Sequence, residues 1–199
     1  MTVPYRARPG RDGNGKENRD MWYVIQTTTG KEQELVAMIH KTLPASVYQR
    51  CFFMKRQLMK RLGGEWLEVT ETLFPAYVFL ETDSVEEIFY GLKGIPEFTR
   101  LLGDKEGEII PLEREEELFF RKLCRGETGY LVKNTTVYLD EDKGITRLEG
   151  PLEEFKDRIL RVNLRKRYAI IEISMRGEKG TAMLGIRLEK DNVWNKDRK

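Results

Sequence analysis

The sequence predicts an α+β chain in two parts: an N-terminal domain of antiparallel sheet and helices, then a small C-terminal β-barrel. Three observations lead there. Helical periodicity recurs up to about Cys124 and stops. From about Val137 short β-prone runs alternate with tight turns. The 199 residues, 40% of them hydrophobic, suffice for one domain or two small ones.

Residues 1–20, "MTVPYRARPGRDGNGKENRD", have almost nothing to bury and are expected to be a disordered tail. Lys16-Glu17 can be encoded AAG-GAG, a ribosome-binding sequence, so the natural start is expected at Met21. "WYVIQT" then reads as a strand, and "KEQELVAMIHKTL" as an amphipathic helix with Leu35, Ile39 and Leu43 on one face. "RCFFMKRQL" and "EWLEVTETL", joined across Gly63-Gly64, read as a hairpin with a basic rim of Arg50, Lys55, Arg56, Lys60 and Arg61. No acid occurs from Arg50 through Gly64, which makes this rim a candidate contact for DNA or RNA. Cations also decorate exposed hairpins simply to discourage edge pairing.

"LFPAYVFLETD" reads as a strand rich in rings. Its alternation assigns Phe74, Ala76, Val78 and Leu80 to one face, and Pro75, Tyr77 and Phe79 to the other. Core filling and a partner surface remain the two readings of those rings. "SVEEIFYGLKG" opens with a capping-box pattern, Ser84 and Glu87, and reads as a short helix. "FTRLLG" reads as a strand, and "PLEREEELFFRKLC" as a helix opened by Pro111, with acids first and Arg121 and Lys122 last. Residues 125–136 read as an interdomain linker. In the barrel, 137–191, "YAIIEISM" turns Ile171, Ile173 and Met175 one way and Glu172 and Ser174 the other; residues 192–199 form a flexible tail.

Composition excludes more than it assigns. Lys plus Arg number 35 and Asp plus Glu 33, so any basic footprint is local. Two distant cysteines, Cys51 and Cys124, fit a reduced cytoplasmic compartment, and no run approaches the roughly 18 apolar residues of a membrane span. The single histidine, His40, falls on a predicted helix among polar neighbours. Without a His or Cys cluster or a phosphate loop, the sequence offers no catalytic residue, no metal site and no cofactor site, and is not expected to be an enzyme.

The order "WYV", "LFPAYVF", "GIPEFTRLLG" and then "EGPLEEFKDRI" resembles the NusG family of transcription elongation factors over about residues 22–190. The resemblance implies a NusG N-terminal domain over 21–124 that docks on RNA polymerase, and a C-terminal KOW domain that recruits something else. In the family the aromatic strand helps to form an apolar pocket for the clamp helices of the largest polymerase subunit. By position, this points to Phe74, Pro75, Tyr77 and Phe79, with Trp22, Tyr23 and Phe98 as companions. Gly150-Pro151 and Phe155 keep their KOW places, but the consensus glycine is replaced by Asp157.

The turn of "DRILRVNLRKRYAIIEI" carries Arg165, Lys166 and Arg167, with Lys156, Arg158, Arg161 and Tyr168 nearby. That pattern is similar to the LoaP-type specialised paralogues, which implies antitermination and binding of an RNA hairpin in a nascent leader transcript. A turn projecting cations can contact phosphates across an RNA groove while Tyr168 stacks on an unpaired base; a charged turn can also be merely solvated. The protein is expected to act as a monomer, with no membrane partner. Two further readings stand beside it: a general NusG factor whose barrel recruits proteins, and a ribosome-associated KOW protein, for which the near-neutral charge is a poor fit.

Overall fold

The computed structural model describes residues 21–93, 95, 100–101, 110–125, 129–191 and 193–194. In chain order the elements are β1 (Met21–Gln26), α1 (Glu32–Thr42), β2 (Arg50–Phe52), β3 (Lys55–Leu62), β4 (Glu65–Thr72), β5 (Tyr77–Thr82), α2 (Val85–Leu92), β6 (Arg100–Leu101) and α3 (Arg114–Leu123). The second half contributes β7 (Leu131–Val132), β8 (Thr135–Leu139), β9 (Ile145–Glu149), a 3-10 segment (Pro151–Arg158), β10 (Ile159–Asn163), β11 (Tyr168–Met175), β12 (Glu178–Leu188) and β13 (Val193–Trp194). Two compact units result, Met1–Phe53 with Phe74–Glu117, and Met54–Leu73 with Leu118–Lys199.

The first unit holds an antiparallel sheet in the order β2-β5-β1-β6. Period-two alternation sends Ile25, Cys51, Val78 and Leu80 to one face, where Leu35 and Ile39 of α1 and Ile88 and Leu92 of α2 bury them. The expected capping box is not formed: the Ser84 hydroxyl donates to Asp83 at 2.7 Å instead. His40 is exposed, as its neighbours suggest, with Nδ1 2.8 Å from the Tyr48 hydroxyl.

The second unit begins with the β3–β4 hairpin. Gly63 and Gly64 both have positive φ, 60° and 90°, which suits a two-residue turn matched to strand twist and sets Leu62 opposite Glu65. "RCFFMKRQL" is therefore two strands, because β2 pairs with β5 while β3 pairs with β4. The hairpin is extended by β7 beside β3 and β13 beside β4, both parallel, giving the order β13-β4-β3-β7. β7 and the first two residues of β8 fall within the stretch read as a linker. A second sheet, β10-β11-β12-β8-β9, forms a curled half-barrel. Its core is the alternating set Ala169, Ile171 and Ile173 of β11 with Ala182, Leu184, Ile186 and Leu188 of β12. Gly185 lies so close to the hairpin that a Cβ there would collide with Gln57 O and Asn134 Oδ1. α3 starts at Arg114, three residues beyond Pro111. Among the described residues no helix is long and apolar enough to cross a membrane.

Candidate functional site

The ring-rich strand builds a core before it builds a surface. Ala76 adopts φ 70°, and this left-handed residue breaks the alternation expected through the strand. Phe74 consequently joins Phe79, 6.2 Å away, instead of sharing a face with Val78 and Leu80. Phe79 stacks on Phe52 at 5.6 Å, and Trp22 meets Phe52 edge-on at 4.8 Å. Trp22 and Phe79 are fully buried, and Tyr23 and Phe74 nearly so. Of the residues implicated in polymerase docking, Pro75 is exposed and Tyr77 half-buried, while Phe98 lies outside the described residues. Four of the seven thus face inward, where they hold Pro75 and Tyr77 in position.

Ala76 is held by a buried carboxylate. Glu32 accepts the Ala76 N–H at 2.7 Å and the Gly30 N–H at 3.1 Å. Burial pushes its pKa up, but the backbone N–H groups of Ala76, Glu32 and Gly30 outweigh that and hold it below the usual carboxylate value. At the end of α2 the Lys93 ammonium sits 4.7 Å over Phe89 and 4.8 Å over the exposed Tyr90.

The basic rim is largely neutralised. The antiparallel register sets Arg56 opposite Glu71, which lies 3.8 Å from it and also pairs with Lys60. Arg56 also donates to Met183 O at 2.7 Å; burial lowers its pKa, with Glu71 opposing. Arg50, in the first unit, lies 3.7 Å from Glu81, and Arg61 donates to Gly64 O at 3.3 Å. Lys55 is half-buried. The acid-free stretch from Arg50 to Gly64 is thus no guide to potential, because the acids arrive from the facing strand.

The β10–β11 turn divides its three cations. Arg165 and Lys166 are exposed. Arg167 turns inward at φ 59°, its Nε and Nη2 each donating to Asp191 at 2.6 Å while the guanidinium lies 4.7 Å over Trp66. Its Nη1 also donates to Leu164 O. The Arg167 and Asp191 side chains are only 11% and 5% exposed, so this pair is a structural pin and not the outward cation expected of the turn. Asn163 Oδ1 accepts the Lys166 N–H at 2.8 Å, and its amide reaches the half-buried Tyr168 hydroxyl at 3.4 Å. Lys156, Arg158 and Arg161 are exposed along the 3-10 segment and edge strand β10, and Arg158 lies 4.6 Å over Phe119. No ion pair engages Lys156, Arg158, Arg161, Arg165 or Lys166 among the described residues. No group of three His, Cys, Asp or Glu side chains there could hold a metal ion.

Comparison with known proteins agrees with this architecture. A solved structure described as "Domain interaction in Thermotoga maritima NusG" superposes with a TM-score of 0.52 at 19% identity, covering 84% of this chain and 94% of that one. Proteins described as transcription termination/antitermination protein NusG are similar across most of the sequence. The one from Rickettsia prowazekii is 22% identical over 170 residues, covering 82% of this chain and 85% of its own. That from Lactococcus lactis is 24% identical over 148 residues, covering 71% and 78%. The family model for transcription termination factor nusG matches residues 20–121, a little over half the chain, and the chain therefore belongs to the NusG family.

Proposed function

We propose that this protein is a specialised transcription elongation and antitermination factor, which binds RNA polymerase through its first unit and a nascent RNA hairpin through its second. The observation that carries the RNA half is the unpaired cationic strip of Lys156, Arg158, Arg161, Arg165 and Lys166. Five charges along a curled sheet edge suit phosphates on both sides of an RNA groove, and Tyr168 lies at the end of the strip. Polymerase docking draws on Pro75 and Tyr77, presented over the rigid cluster of Trp22, Phe52, Phe74 and Phe79. Joining two contacts in one chain raises the effective concentration of each.

Copurification from the native host with crosslinking tests both halves. Polymerase and a specific leader transcript should be recovered together; ribosomal subunits in place of polymerase would overturn the reading. In titrations, three to five phosphate contacts give a log–log salt slope of about −2 to −4.

A second reading, recruitment of a protein by the half-barrel, draws on Leu160. This residue is 58% exposed at the irregularity between Ile159 and Arg161 on β10, the strand at one end of its sheet. A flat salt titration would favour it.

A further inference from the structure

Arg165 and Lys166 of the turn project into solvent, whereas a second set of cations in the same unit surrounds a cavity. This cavity, of about 220 Å³, is walled by Arg125, Lys133, Asn134, Thr136, Glu149 and Arg187. Three of these form one row across the sheet: Arg187 of β12 faces Thr136 of β8, which faces Glu149 of β9. The row is reinforced by Arg187 Nε, which donates to Thr136 Oγ1 at 3.1 Å and so fixes the plane of the guanidinium.

The charge balance favours an anion. Arg125 and Arg187 meet one carboxylate, and that carboxylate is already engaged: Glu149 accepts the Tyr138 hydroxyl at 2.7 Å and pairs with Arg147 at 3.3 Å. Neither Arg125 nor Arg187 has a carboxylate partner among the described residues. Cations converging on a concavity focus positive potential there more strongly than the same charges on a flat face. The volume lies below the roughly 300–1,000 Å³ of drug-sized pockets, which suits a phosphate and its sugar with the base lying outside, and not a folded partner. A planar platform adjoins it, since Tyr138 lies two residues beyond Thr136 with the Arg147 guanidinium 3.8 Å over its ring.

We propose that this cavity binds a phosphorylated nucleotide, Arg125 and Arg187 taking the phosphate oxygens. The inference deepens the RNA-binding reading and rests on it for the source of that nucleotide, an unpaired residue flanking the hairpin. Sheet order supports the connection. Gly185-Ile186 of β12 lies beside Arg167-Tyr168 on one side and Thr135 on the other, so the turn and the cavity row are about two strand spacings, roughly 10 Å, apart. A free mononucleotide carries the same chemistry, and the experiment separates the two sources.

The test is an amide NMR titration of the full chain with a nucleoside, its 5′-monophosphate, inorganic phosphate and a short single-stranded RNA. The monophosphate should shift Thr136, Gly150 and Arg187 saturably, the nucleoside should not, and the Arg125→Gln/Arg187→Gln variant should lose the response. Because further phosphates add counterion release, RNA binding about tenfold or more tighter than the monophosphate assigns an RNA strand as the source, and equal affinity assigns a free nucleotide. No shift with any probe overturns the proposal, as does an undiminished shift in the double variant; inorganic phosphate binding as tightly as the nucleotide overturns the nucleotide assignment. The monophosphate arm involves neither Arg165 nor Lys166. Failure of hairpin recognition by the turn is therefore read separately, by titrating the hairpin into an Arg165→Ala/Lys166→Ala variant.

Discussion

The β3–β4 and β10–β11 hairpins both present runs of Lys and Arg, and they use them in opposite ways. In β3–β4 the facing strand returns acids into register, so that Glu71 alone engages Arg56 and Lys60. In β10–β11 the strands facing the turn bring no such acid to Arg165 or Lys166, and only Arg167 is claimed, by Asp191. A cationic run stays available to an anionic partner only when its partner strand leaves it alone. The number of positive charges in the run does not decide the matter.

The two hairpins differ most at Arg167. Arg167→Ala leaves the buried Asp191 carboxylate without its counter-charge, with only the Leu188 N–H still donating to it, and should cost about 3 kcal/mol in equilibrium denaturation, far more than any other cation of either hairpin. Arg165→Ala with Lys166→Ala should do the converse. Stability should stay within about 0.5 kcal/mol, while hairpin affinity falls about tenfold and the salt slope becomes shallower by about two. Equal losses of stability from both variants would erase the distinction between pin and probe.

Glu71→Gln sharpens the other side. It releases Lys60 and weakens the hold on Arg56, so retention on heparin should increase while stability falls by about 1 kcal/mol. Smallest is Ala76→Gly in the first unit, which relieves a left-handed alanine and should add about 0.5–1 kcal/mol by thermal or denaturant melting. It lies in neither hairpin and should leave RNA affinity unchanged, which makes it a control for effects transmitted through stability alone.

Much of this was legible in sequence. The spacing of Leu35 and Ile39 and the alternation of Ile171 and Ile173 name the buried faces directly. The neutralisation of β3 was also within reach, since a two-residue Gly63-Gly64 turn forces Arg56 opposite Glu71 once it is assumed. Other features depend on distant partners. Nothing local separates Arg165 from Arg167, because the difference is made by Asp191, 24 positions later. An alanine at 76 gives no sign of positive φ, so the inward turn of Phe74 was hidden. The break in "RCFFMKRQL" arises because β2 and β3 choose different sheets, and a continuous β-prone run cannot reveal such a choice.

That the second unit draws on Met54–Leu73 as well as the C-terminal segment bears on how the protein is made and cut. As the chain leaves the ribosome, the hairpin emerges well before β7, β12 and β13 exist to flank it, so its final sheet is completed late in synthesis. A fragment excised at the apparent linker near residue 125 would leave behind the strand against which β7 pairs and Gly185 rests. Biochemistry on an isolated C-terminal piece would then sample a truncated fold, and the intact polypeptide is the proper reagent for measuring RNA affinity.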